Sequence, residues 1–354
     1  HRTINKLRQV SPVTSKTMSF GYLDHAVAVL PLLAWPSFRQ QLCILIYHRV
    51  LPKPDPLRPG DVTANIFDAQ VGYLSRHFNV MPLREAVVHL KNNTLPRRAC
   101  CITFDDGYAD NLTVALPILE KYQLTATVFV ATGYIDGGRM FNDIVTDTIG
   151  EFGQPELDLS DIGLGCHHLG NVEEKRQTIW AILEQIKFFP PDERGAIVEK
   201  LVDLAGCSAA HNDTMLTSQQ VFELSARGIE IGGHTVAHTI LTTLDDENAR
   251  REISEGKRQL EAIINKPVTT FAYPNGKPIR DYAARHVAMV RDLGFELAVS
   301  TTHGVANRDS DIHQLPRLSL WGNSITTMAA RLTRDAWSAA PTQQVIGMQD
   351  VPCA

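Results

Sequence analysis

The sequence predicts an α/β fold: a seven-stranded parallel (β/α) barrel with a helical insertion between its third and fourth strands. Three observations lead there. Short apolar runs, continuous rather than alternating, mark strands buried on both faces. They alternate with stretches whose apolar residues recur at helical spacing, the pattern of βα units. Between residues 137 and 225 that rhythm stops, and only helical spacing is visible.

Taken in order, Cys43–Tyr47 is the first continuous apolar run, followed by helical patterns over Phe67–His77 and Leu83–Lys91. Cys100–Phe104 is the second strand, and Ala109–Tyr122 the helix after it. Thr125–Ala131 closes the first half. Inside the insertion, Glu173–Lys187 and Asp192–Leu204 carry helical spacing, with Pro190-Pro191 as punctuation and Trp180 placed among core positions. The insertion reads equally as a structural cover or as a lid over a substrate groove. The strands resume with Ile229–Gly232, Val268–Tyr273, Leu297–Ser300 and Gln314–Leu318, separated by helices over Asp245–Ile264 and Arg280–Leu293 and followed by Ile325–Trp337. Acidic, amide or hydroxyl residues stand where several of these helices begin. The resulting division is an N-terminal extension (1–40), a barrel (41–337) and a C-terminal tail (338–354).

A chain of 354 residues with 44% hydrophobic and 21% charged side chains is long enough for one large domain, and it is neither low-complexity nor disordered in composition. Thirty-four basic against 39 acidic residues give a formal charge of −5, which excludes a broad field drawing in nucleic acid. Six cysteines at irregular spacing argue against a disulfide framework and for a reducing, cytoplasmic setting over a periplasmic one. Ala26–Trp35 has the apolar character of a leader peptide, but Asp24, His25 and Pro31 weigh against it. No apolar run reaches the length of a membrane span. Nothing in the sequence speaks to oligomeric state.

Three motifs close strands. Thr103-Phe104-Asp105-Asp106-Gly107-Tyr108 places adjacent carboxylates at the end of an apolar run, where they repel unless a cation, a proton or hydrogen bonds intervene; an Asp-Gly turn with both acids solvated is the plain alternative. Gly232-Gly233-His234-Thr235-Val236-Ala237-His238 offers two imidazoles four residues apart, which one helical turn brings to the same side. Asp106, His234 and His238 together form a carboxylate and two-histidine set that leaves a coordination position for water. Phe271-Ala272-Tyr273-Pro274-Asn275-Gly276 ends in a turn that can aim backbone N–H groups into a pocket.

In this order the three motifs resemble those of the polysaccharide deacetylases of carbohydrate esterase family 4, from about Ile44 to Leu320, and most closely the poly-N-acetylglucosamine deacetylase branch. The resemblance implies a distorted barrel with its site at the strand C-terminal ends, and removal of N-acetyl groups from an N-acetylated oligo- or polysaccharide. It implies that Asp106, His234 and His238 hold a divalent metal, usually zinc, that Asp105 is the base, and that the Asn275 N–H faces the oxyanion. By donor type zinc suits the site, with cobalt and nickel as other candidates. The 128 positions from Asp106 to His234 exceed the usual spacing, an excess the insertion supplies. The family often has an arginine where Ala272 stands, so Arg317 on the last strand is a candidate for steering the base, with a rim salt bridge as its other reading. His48, ending the first strand, is the candidate general acid, as in that branch. His313, before the last strand, belongs at the opposite rim, and His303 lies in a loop.

Other features have plain readings. Cys166-His167-His168 lacks a second pair at metal spacing and reads as a solvated loop, Cys100-Cys101 as strand core, and Glu247–Glu261 as a solvated helix face. Phe141, Asn142 and Asp143 fall near the barrel mouth, and Trp321 is a candidate for stacking on a sugar. A deacylase of a small or lipid-linked N-acyl sugar, a catalytically silent carbohydrate-binding barrel, and a metal-free barrel amidase of the same superfamily, against which the intact Asp-His-His set weighs, are the rival functions.

Overall fold

The computed structural model describes residues 40–206, 214–320, 325–338 and 345. The apolar segment Ala26–Trp35 and Trp321 lie outside them. The first half of the chain runs β1 (Gln41–Tyr47), β2 (Val50–Leu51), β3 (Val62–Thr63), α1 (Ala64–His77), β4 (Asn79–Val80), α2 (Leu83–Lys91) and β5 (Ala99–Phe104). A π-helical turn (Asn111–Ala115), α3 (Leu116–Lys121) and β6 (Thr127–Val130) follow. Next come α4 (Phe141–Glu151), β7 (Glu156–Leu159), β8 (Gly165–His168), α5 (Val172–Ile186), α6 (Pro191–Ala205) and α7 (Ser218–Ala226). The chain continues through β9 (Glu230–Gly233), α8 (Asp246–Ile264), β10 (Thr270–Ala272), α9 (Ala284–Asp292), β11 (Leu297–His303), β12 (Ala306–Asn307), β13 (Leu315–Ser319) and α10 (Ile325–Trp337).

Seven parallel strands close on themselves in the order β1, β5, β6, β9, β10, β11, β13 and back to β1. The expected barrel is present, and it is distorted: β9 and β10 share a single register pair, Gly233 with Phe271, and the β11–β13 ladder shifts register between Val299 and His303. Alternate residues of β1 divide between two cores. Leu42 and Ile44 pack with Cys101, Phe129 and Val299, while Cys43 and Leu45 join Ile102 and Val128 beneath the outer helices. Helix α2 plugs the interior with Leu83, Ala86, Val87 and Leu90 against the strand starts. A side chain at Gly232 would meet the Phe129 ring at 2.3 Å, so the crowded barrel wall excludes one there.

The segment between β6 and β9 departs from expectation in four ways. It contains a β7–β8 hairpin that the sequence reading lacked, joined antiparallel from Glu156↔His168 to Leu159↔Gly165. Cys166-His167-His168 is therefore a strand of that hairpin and not a loop, with Cys166 and His168 outward. It also contains α4 and α7, neither read from the sequence. Its core is separate from the barrel's, built on residues such as Val145, Leu157, Ile179, Ile182, Ile186 and Leu201. Trp180 is not in that core but 68% exposed, because Ile179, Ile182 and Ile186 fill the inward face of α5. Two helix boundaries also differ. The helix after β5 opens as a π turn, since Pro117 has no N–H to close the ladder behind it. The helix expected from Arg280 begins at Ala284, because the Lys277 N–H donates to Asp281 Oδ2 and folds that stretch into a turn.

Candidate metal centre and catalytic cleft

The strand C-terminal ends bring the motif residues to one cleft of about 370 Å³, lined by His48, Asp105, Asp106, His234, His238, Asn275 and Thr301. Phe141 and Asn142 at the start of α4 add to its wall, as do Leu183, Glu184 and Lys187 at the end of α5. Asp143 is buried beside them and engages Arg58, at 3.3 Å, instead of the cleft. Larger hollows of about 600 and 540 Å³ lie elsewhere and contain none of these motif residues.

The adjacent carboxylates are both buried and have opposite surroundings. Asp105 receives two hydrogen bonds from Arg317, Nη1 to Oδ1 and Nη2 to Oδ2, each 2.7 Å. Arg317 is itself fully buried and braced by Nε donating to the Ser300 carbonyl at 2.9 Å and Nη1 to Thr103 Oγ1 at 3.2 Å. Burial pushes the Asp105 carboxyl up, but the charge and hydrogen bonds of Arg317 outweigh it and hold the group below its usual value. The fork comes from β13, two strands away from both β10 and β5 around the barrel, so a different strand places a guanidinium on Asp105 where Ala272 cannot, and the contact is buried, not a rim salt bridge.

Asp106 has no such partner. Its Oδ1 is buried without a hydrogen bond, 3.4 Å from His234 Nε2 and 3.3 Å from His238 Nε2. Potential ligand atoms of the three residues lie within 4.8 Å of one another, and among the described residues they form the one His, Cys, Asp or Glu cluster so placed. His234 Nδ1 lies 2.7 Å from the Ala272 carbonyl, which orients the ring and leaves Nε2 free toward Asp106. A buried carboxylate oxygen left unpaired between two imidazole nitrogens fits a divalent cation. Burial opposes a charge on either ring. Asp106 and Asp105 nonetheless lift His234 above its ordinary value, whereas His238 falls to about 4.

The two histidines do not share a helical turn. They occupy an irregular loop in which Thr235 and His238 have φ of 63° and 50°. External partners hold it: Glu252 Oε2 on α8 accepts from the Val236 and Ala237 N–H groups at 3.0 and 2.8 Å, and the Tyr134 hydroxyl donates to the Ala237 carbonyl at 3.0 Å. Gly256 lets α8 approach, since a Cβ there would sit 2.9 Å from the Thr235 carbonyl. Glu252 is thus no part of a solvated face, as the sequence reading had it; it stands beside the buried Ala249, Ile253 and Gly256, and that spacing was its only signal.

Asp110 and Asn111 also escaped the sequence reading. The Asn111 amide donates to the His48 carbonyl at 2.9 Å, while Asp110 accepts from the Val50 N–H at 3.0 Å and from Arg49 Nε at 2.9 Å. They clamp the backbone that carries His48, whose ring is exposed at the cleft. In the Pro-Asn-Gly turn Asn275 has φ of 55°, and its carbonyl accepts from Thr301 Oγ1 at 2.5 Å, fixing the turn against β11. His313 is buried away from the cleft with Nε2 3.0 Å from the Phe295 carbonyl, and His303 pairs with Asp335 at 3.2 Å.

The polysaccharide deacetylase family model matches residues 92–298, a span that holds the carboxylate pair, both histidines and the Pro-Asn-Gly turn. The chain belongs to the polysaccharide deacetylase family. This deacetylase is an amide hydrolase by family membership. It is 23% identical over 280 residues to the Bacillus subtilis protein YxkH, whose name places it in the same family, across 78% of this chain and 71% of that one. It is 33% identical to the Staphylococcus aureus poly-beta-1,6-N-acetyl-D-glucosamine N-deacetylase over 82 residues, 23% of this chain and 28% of the relative. Among solved structures, the Streptococcus pyogenes deacetylase PplD in complex with acetate shares the fold with a TM-score of 0.55 and 21% identity, covering 84% of this deacetylase and 99% of that chain. IcaB from Ammonifex degensii does so at 0.54 and 18%, covering 82% and 97%. No helix among the described residues is long and apolar enough to cross a membrane.

Proposed function

We propose that this deacetylase removes N-acetyl groups from an N-acetylglucosamine polymer with the help of a divalent cation held by Asp106, His234 and His238. The observation that carries the reading is the buried, unpaired Asp106 Oδ1 facing two imidazole Nε2 atoms. A bound cation, zinc by donor type, supplies Lewis acidity toward water and the amide carbonyl. Asp105 accepts the proton of the attacking water. The Arg317 fork orients both its oxygens and keeps it ionised, so it is always available as an acceptor. The Asn275 N–H donates to the oxygen that becomes negative as the carbonyl carbon turns tetrahedral. His48 gives a proton to the sugar nitrogen as the C–N bond breaks, and acetate and a free amine leave. The 82-residue match to the staphylococcal enzyme supports the choice of sugar.

The test is acetate release from a panel of N-acetylated oligosaccharides with and without a chelator. Release that a chelator abolishes and added zinc restores supports the proposal. Release indifferent to the chelator contradicts the metal assignment, and no release from any sugar, with metal bound, contradicts the hydrolase.

A further inference from the structure

We infer that the outward face of α5 extends the substrate groove and that Trp180 stacks on a sugar ring beyond the one being deacetylated. This rests on the reading of the cleft as a glycan deacetylase site. Leu183, Glu184 and Lys187 reach into the catalytic cleft from the end of α5. On a helix, position 180 lies on the same stripe as 183, 184 and 187, one turn further from the site. The inward stripe, Ile179, Ile182 and Ile186, is occupied by the insertion's own core, so Trp180 has no place there and is 68% exposed.

A single exposed apolar residue needs no explanation by itself. This one continues a cleft wall: its Cα stands roughly 6 Å along the helix axis from that of Glu184, a step comparable to one sugar ring. The occupant follows from that continuity. A chain threaded through the cleft toward the N-terminus of α5 passes over Trp180, whose flat apolar face matches the C–H face of a pyranose while its indole N–H can bond a hydroxyl. The Glu184–Lys187 ion pair, in the cleft wall on the same stripe, offers an acceptor and a donor to sugar hydroxyls and amides. A short N-acetyl sugar fills the cleft alone, so Trp180 acts on chain-length preference.

The test compares dimers and hexamers of N-acetylglucosamine on wild type, W180A and W180F, by isothermal titration calorimetry for binding and by acetate release for turnover. The expected result is a hexamer affinity reduced roughly five- to tenfold in W180A and retained in W180F to within about twofold, with dimer binding unchanged in both. The hexamer-to-dimer ratio of kcat/KM collapses in step. Equal hexamer affinity in wild type and W180A overturns the inference, as does a W180A effect seen only in sedimentation, which would make the face a contact between copies. Hexamer binding that depends on Trp180 without any acetate release would overturn the hydrolase reading and leave this one standing. Acetate release with W180A unchanged does the reverse, and neither binding nor release overturns both.

Discussion

At the barrel rim the functional side chains are held by partners drawn from across the fold, whereas in the segment between β6 and β9 the residues facing the same cleft lean on a core of their own. Asp105 is gripped from β13, the histidine loop from α8, and the His48 backbone from the π turn after β5. Leu183, Glu184 and Lys187 stand instead on a helix whose inward face packs among Val145, Leu157 and Leu201. Chemistry demands placement to fractions of an ångström and uses charged, buried braces. A wall that reads substrate shape needs only a stable platform, which a small apolar core provides.

Breaking the rim has the largest effect. Asp105→Asn keeps size and geometry but cannot accept the proton, so acetate release falls roughly 10²–10⁴-fold with metal content unchanged. Retained turnover would remove Asp105 from the mechanism. Arg317→Met leaves a carboxylate buried without its partner and costs about 3–5 kcal/mol in denaturant unfolding, with Asp105→Asn largely rescuing the loss in the double variant. Additive losses would mean that the fork does not compensate the buried charge.

Disturbing the other region should leave the rim alone. Ile182→Ala opens a cavity in the insertion core and costs about 2–5 kcal/mol, read as lost hydrogen-exchange protection in α5 and α6, while metal content stays at the wild-type level. Metal loss in this variant would make the two regions one unit. The loop before β3 joins them, since Arg58 reaches Asp147 on α4 at 2.6 Å. Burial lifts Asp61 in that loop to about 6, against the opposing pull of His48 and Arg49. A raised acid binds its proton more tightly when folded, so wild-type stability falls as pH climbs from near 4 to above 6. Asp61→Asn therefore matches wild type at low pH and gains roughly 1–2 kcal/mol on it above pH 6. A constant difference across that range would contradict the assignment.

Much of the rim was legible because its chemistry is contiguous in sequence: Asp105 and Asp106 end one apolar run and His234 ends another, so the strand endings alone converge them. Arg317 could be weighed because Ala272 stands where an arginine was wanted. The braces were less visible. Glu252 looks like any charge on an amphipathic helix until α8 is laid against the loop at Gly256, and the left-handed backbone at Thr235 and His238 has no signature in those residue types. In the insertion, Glu156-Leu157-Asp158-Leu159 alternates over too few positions to announce a strand, and Trp180 shares the apolar character of Ile179 and Ile182 while pointing the other way. Periodicity assigns residues to an amphipathic helix more readily than it decides which apolar neighbour turns outward.

The central claim is that Asp106, His234 and His238 hold one cation while Asp105 does not. Elemental analysis of purified wild type, Asp105→Asn, Asp106→Asn, His234→Ala and His238→Ala tests it directly. The account predicts about one equivalent of divalent metal in wild type and Asp105→Asn and sharply reduced metal in the other three. Equal metal in all five proteins, or its loss from Asp105→Asn alone, would contradict it.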